Sequence, residues 1–229
     1  MFRAACRIAF GSPHLERVLQ MLLIGMFDSP FVRRVAVSLK RVAIPFEHAN
    51  WSVGADHARI REYSALGRVP TLVLDDGTAL TDSSAILDYL DSTLGAERAL
   101  VPPSGTPRRD VMQLVALALG AAEKGREQIY ERVFRPAEKR HEPYLERCRS
   151  QMHGALDELE RWRAGHSGSW IAGERLTQAD ITITCCWTFL VESVALETSP
   201  YIKLASLATR CEALPEFVAT RVLWSAPRS

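Results

Sequence analysis

The stretch GRVPTLVLDDGTALTDSSAI, residues Gly67 to Ile86, reads as a turn, two short strands and the start of a helix. "PTLVL" and "TALT" have strand length, and the Asp-Gly pair between them is a strong hairpin signal. Thr81-Asp82-Ser83 then cap "SAILDYLDSTL", in which Ile86, Leu87, Leu90 and Leu94 recur at helical spacing. Pro70 stands out, because a proline opening a buried strand removes a ladder donor.

Upstream, "LLIGMF" is a short apolar run that ends at "DSP". "FVRRVAVSLKRV" follows, with Val32, Val35, Ala36 and Leu39 on one helical face. Ser29 directly before Pro30 has the form of an N-cap followed by proline at the first helical position. "IPFEHA" is a second strand, and "ADHARIREYSAL" reads as a short helix ended by Gly67. From Met21 the order is strand, helix, strand, helix, strand, strand, helix.

Downstream, "GAERALVPPSGTPRRD" carries adjacent prolines, Ser, Gly and a further Pro, which cannot continue a helix. It divides the chain into residues 21–100, a linker at 101–107 and residues 108–229. The last part shows no strand pattern. "RRDVMQLVALALGAAEKGREQIYERVF" is a long helix. "YLERCRSQMHGALDELERWRAG" is a second, with Leu145, Cys148, Met152, Leu156, Leu159 and Trp162 on one face. "LTQADITITCCWTFLVES" is the most apolar and is expected to be central. "PYIKLASLATRCEAL" and "PEFVATRVL" read as two shorter helices. The architecture expected is an α/β domain followed by an all-α domain.

Composition narrows the function classes. The 229 residues carry 28 basic and 27 acidic side chains, too balanced for a nucleic-acid partner bound by phosphate neutralisation. No apolar run approaches the roughly 18 residues of a membrane span. The five cysteines form no C-x-x-C and the histidines no H-E-x-x-H, so no metal site is expected. An odd count of free cysteines fits a reducing, cytoplasmic setting. Residues 1–20, basic and interrupted in their apolar run, read as an N-terminal extension without fixed structure.

Two local features carry chemistry on physical grounds. The helix start at Ser83 offers unpaired amide hydrogens and a partial positive charge, which suit a carboxylate, and Asp82 beside it suits an ammonium. The turn at Ser29 places a hydroxyl at another helix N-terminus.

The strand-and-helix order, with Val69-Pro70, Asp82-Ser83, Ser29-Pro30-Phe31 and the capping pattern Thr177-x-x-Asp180, resembles the cytosolic glutathione S-transferase family over residues 21 to about 225. The Ser-Pro-Phe form is similar to the tau class or to related bacterial members. The resemblance implies a thioredoxin-like glutathione-binding domain at 21–100 and a helical domain after it. It implies that Pro70 is cis and that Val69 pairs, backbone to backbone, with the cysteinyl part of glutathione. Asp82 and Ser83 would hold the γ-glutamyl end, and Arg68 the glycyl carboxylate. Ser29 would donate a hydrogen bond to the glutathione sulfur. A helix N-terminus and a hydroxyl donor both favour the thiolate of a thiol whose ordinary pKa is near 8.5.

Glutathione is then a co-substrate, and no metal is implied. The resemblance further implies detoxification chemistry on a small hydrophobic electrophile, a homodimer, and neither nucleic-acid nor membrane partners. Conjugation, isomerisation and peroxide reduction all stay open. A second reading is a catalytically weak transferase-like binding or regulatory module. A thiol-exchange reductase would need cysteine at position 29. Thr177 and Asp180 are read as a folding cap, and Cys185, Cys186, Trp187 and Phe189 as core.

Overall fold

The computed structural model describes residues 21–223. The expected extension at 1–20 lies outside them. The chain runs β1 (Met21–Ile24), α1 (Pro30–Arg41), β2 (Phe46–Ala49), α2 (His57–Ile60), β3 (Thr71–Val73), β4 (Ala79–Thr81) and α3 (Ser83–Leu94). Helices α4 (Gly105–Val133), α5 (Glu142–Gly165), α6 (Gln178–Ser193), α7 (Ile202–Glu212) and α8 (Pro215–Val218) follow.

The strands form one four-stranded mixed sheet in the order β2-β1-β3-β4. β1 pairs parallel with β2, Leu23 opposite His48, and antiparallel with β3, Leu23 opposite Leu72. β3 and β4 form the hairpin around Asp76-Gly77, Leu72 opposite Leu80. Leu23 and Leu72 from the sheet pack with Val32, Val35, Ala36 and Leu39 of α1 and with Ile86, Leu87 and Leu90 of α3. A larger core joins α4, α5, α6 and α7.

α1 belongs to both cores. Val32, Val35, Ala36 and Leu39 face the sheet, while Val37 and the following Val42 pack into the helical core. Every residue from Val32 to Leu39 is therefore buried, including Arg33, Arg34 and Ser38. The amphipathic pattern predicts one buried face; α6 covers the other.

Side chains pin α1 to the helical half. The Arg33 guanidinium donates twice to Glu212, at 2.6 Å each, and at 3.1 Å to the carbonyl of Phe217. The Thr188 hydroxyl donates to the same carboxylate at 2.6 Å. Burial alone would raise the Glu212 carboxyl, but the bonds from Arg33 and Thr188 hold it below its ordinary value. Ser38 Oγ lies 3.0 Å from Gln178 Oε1.

α6 begins at a complete capping box. Thr177 Oγ1 accepts from the Ala179 amide, and Asp180 accepts from the Thr177 amide at 2.9 Å. The other oxygen of Asp180 accepts from the Ile171 amide at 2.8 Å, so one buried acid also fixes the preceding loop. Gly125 of α4 faces α6 so closely that a Cβ there would stand 2.3 Å from Leu190 Cδ2.

Three elements differ from the sequence pattern. α2 is a single turn, because little of the polar 55–66 segment beyond Ile60 finds apolar cover. α4 starts at Gly105, inside the expected linker, since Pro107 falls in the first turn, where its missing amide hydrogen costs nothing. α8 spans only Pro215–Val218 of the helix read from "PEFVATRVL".

Candidate active site

Ser29 ends the loop that leaves β1. Its amide donates to the Met26 carbonyl at 3.2 Å, and its own carbonyl accepts from the Arg33 amide at 2.9 Å, starting α1. Its backbone is extended (φ −74°, ψ 122°), yet its hydroxyl makes no cap bond. The half-buried hydroxyl therefore stands at the helix N-terminus without capping it, and makes no hydrogen bond among the described residues.

The loop is held from two sides. Gly25 donates to the Ala49 carbonyl at 2.9 Å, and His48 Nε2 donates to the Gly25 carbonyl at 2.7 Å. The His48 ring stacks on Phe27, centroids 3.8 Å apart and planes within 4°. Gly25 has φ +128°, and a Cβ there would stand 2.6 Å from Val32 Cγ2 and 2.8 Å from Val69 Cβ. The Ser29 loop thus rests directly against Val69.

The Val69–Pro70 bond is cis. Neither backbone group of Val69 has a hydrogen-bond partner among the described residues; the β1–β3 ladder begins at Thr71. Arg68 and Thr71 flank it with a local bond, Thr71 Oγ1 donating to the Arg68 carbonyl at 3.2 Å. The Arg68 side chain is exposed and makes no hydrogen bond or ion pair to the other candidate residues.

Asp82 is the N-cap of α3, its Oδ1 accepting from the Ser84 amide at 2.7 Å. Its φ of +78° is uncommon for a residue with a side chain. Ser83 is buried, and its amide has no partner among the described residues. Behind it lies Arg34, 1% exposed, whose Nη1 donates to Ser83 Oγ at 3.2 Å. No carboxylate lies within ion-pair distance of Arg34 among the described residues, and its Nε has no partner. Burial lowers this guanidinium from 12.5 to about 10, while Asp82 pulls the other way. A buried guanidinium and a helix N-terminus each favour negative charge beside them.

Ser29, Val69, Asp82 and Ser83 are thereby linked, through Gly25 on one side and Arg34 on the other; Arg68 is not. Sequence reading missed Arg34 and His48. The sequence carried no signal for Arg34, which lies opposite the apolar face of Val32, Val35, Ala36 and Leu39 and is buried only by packing. Beside Ser29, a narrow crevice lies between Phe27, Pro30 and Arg33 of one half and Thr188 and Phe189 of α6. Cys185 in the same wall is pushed up to about 12 by burial, which leaves it an inert thiol.

Comparison with known proteins agrees with this geometry. The glutathione S-transferase N-terminal domain pattern matches residues 23–98, and the C-terminal domain pattern matches 142–213. An uncharacterised GST-like protein of Escherichia coli, YibF, is 30% identical over 171 residues, 74% of this chain and 82% of that protein. A glutathione S-transferase of Methylobacterium radiotolerans, solved with glutathione sulfonate, superposes with a TM-score of 0.85 at 25% identity, over 92% of this chain and 98% of that one. A family member from Pseudomonas fluorescens with bound glutathione gives 0.76 at 30%, over 88% and 98%. A four-stranded mixed sheet flanked by helices, joined to a helical half, defines a thioredoxin-like domain with its all-α partner. The chain belongs to the glutathione S-transferase family.

Proposed function

We propose that the protein is a glutathione S-transferase that binds glutathione along the sheet edge and holds its thiolate at Ser29. The observation that carries this reading is the buried, unpaired Arg34 behind Ser83 at the N-terminus of α3. The γ-glutamyl carboxylate would complete that site, accepting from the Ser83 amide and hydroxyl, with Arg34 as counter-charge and Asp82 holding the adjacent ammonium. The open backbone of Val69 would pair with the cysteinyl unit, which directs the sulfur towards the Ser29 loop. Arg68 would meet the glycyl carboxylate from solvent.

Chemistry then needs little from the protein. The Ser29 hydroxyl donates to the sulfur and the α1 N-terminus favours negative charge, each pKa unit of thiol lowering being worth about 1.4 kcal/mol. The thiolate attacks a small hydrophobic electrophile held in the crevice against α6; in substitution the leaving group departs to solvent, and in addition the carbanion formed takes up a proton from solvent. The absence of cysteine at position 29 favours addition or substitution over thiol exchange. The same reading includes a homodimer, a cytoplasmic setting and a domain boundary within 101–107.

The test is calorimetric titration of glutathione into the wild type and Ser29→Ala, with the bound thiol followed by thiolate absorbance. The reading predicts similar affinity for both and a lowered thiol pKa only in the wild type. No binding at millimolar glutathione would favour a catalytically weak binding module instead.

A further inference from the structure

On the far side of the domain junction lies an open cavity of about 370 Å³, lined by Arg41, Val42, Ala43, Arg98, Leu100, Arg175 and Leu176. It draws on three separate parts of the chain: the end of α1, the segment before α4 and the loop before α6. Arg41 is neutralised by Glu216 at 3.1 Å. The other two guanidiniums are not. Arg98 donates to the Val42 carbonyl at 2.5 Å and Arg175 to the Ala99 carbonyl at 2.9 Å, and neither forms an ion pair among the described residues. Glu174, next to Arg175 in sequence, accepts from Ser169, and Asp91 accepts from the amides of Leu100 and Val101.

Anchoring to a carbonyl uses one edge of each planar fork and leaves its other donors for a ligand. The anchors also hold the forks in place beforehand, which reduces the entropy lost on binding. Between the arginines, Val42, Leu100 and Leu176 contribute the apolar part of a mixed wall. We infer that this cavity binds a small organic phosphate, its near-dianionic head on Arg98 and Arg175 and its apolar body on Val42, Leu100 and Leu176. Two uncompensated guanidiniums match the charge of a phosphate monoester at neutral pH better than that of a single carboxylate. The site is separate from Ser29 and does not depend on glutathione binding.

Phenyl phosphate, inorganic phosphate and benzoate serve as probes in calorimetry on the full chain. The expected result is one saturable site for phenyl phosphate, weaker binding of the other two, and the same result in Ser29→Ala. Arg98→Gln with Arg175→Gln should weaken phenyl phosphate by about tenfold or more.

Because those arginines also anchor backbone, a second pair of variants leaves the anchors intact. Ala43 is exposed and lines the cavity with φ +54°, a conformation that Asp and Asn adopt more readily than alanine. Ala43→Asp should fold normally and abolish binding by supplying a competing carboxylate, while Ala43→Asn should keep it. Absence of phenyl phosphate binding, equal affinity for inorganic phosphate, or unchanged binding in Ala43→Asp would each overturn the inference.

Discussion

Replacing Arg34 by methionine separates the two effects of its buried charge. The guanidinium is 1% exposed, has no carboxylate partner within ion-pair distance among the described residues, and is lowered from 12.5 to about 10 by burial. A fall of that size corresponds to roughly 3 kcal/mol of net cost to the charged form in the folded protein at neutral pH. Methionine fills similar space and removes the cost. It also removes the 3.2 Å bond to Ser83, worth about 1 kcal/mol. The net expectation is a variant as stable as the wild type or more so, by about 1–2 kcal/mol, with a midpoint a few degrees higher. Glutathione affinity should move the other way. Loss of a buried counter-charge to a carboxylate costs about 1.5–3 kcal/mol, or roughly ten- to a hundredfold in Kd. Thermal melts by circular dichroism and calorimetric titration on the same sample read both quantities. A variant that melts far lower while binding glutathione normally would refute the reasoning, because Arg34 would then be a structural tie and not the ligand's counter-charge.

Gly25→Ala should push the Ser29 loop away from Val32 and Val69, since its new methyl would sit 2.6 and 2.8 Å from them at φ +128°. The expected cost is about 3 kcal/mol, seen as a drop in melting midpoint of roughly 10 °C, with loss of thiolate absorbance in the surviving folded fraction. Asp82→Asn keeps the cap and tolerates the positive φ, so stability by urea titration should change by less than about 0.5 kcal/mol while glutathione binds more weakly. Asp82→Ala loses the cap as well and should cost about 1–2 kcal/mol. Glu212 links stability to acid. Its folded carboxyl lies below 4.5, so the unfolded chain takes up the proton first. Its contribution is complete above that ordinary value and disappears as pH falls through the folded one. Glu212→Gln should lose about 2–4 kcal/mol at neutral pH, by urea titration, and flatten the acid side of the stability profile.

What could be read from sequence were features whose cause is local. Ser29-Pro30 marks a helix start whatever covers the helix, and Thr177-x-x-Asp180 marks another. The hairpin around Asp76-Gly77 and the cap at Asp82 depend only on neighbouring residues. The parts that escaped depend on contacts distant in sequence. A pattern of Val32, Val35, Ala36 and Leu39 places Arg33 and Arg34 on a solvated face, and only the packing of α6 and α7 over α1 buries them. The shortness of α2 has the same origin, since whether polar residues stay helical depends on apolar cover that their own segment does not supply. Arg98 and Arg175 look like ordinary surface charges until the junction brings them to one cavity.

The double burial of α1 bears on how such chains can be recombined. A helix that contributes Val35 and Leu39 to one core and Val37 and Val42 to the other is not the property of either half. Cut away from the helical half, the sheet would present Arg33, Val37 and Ser38 to water with Glu212, Phe217 and Gln178 gone. Exchange of helical halves between relatives must therefore carry over the residues that meet α1. The boundary visible as a proline-rich linker is a seam in the chain, whereas the inheritable unit extends across it.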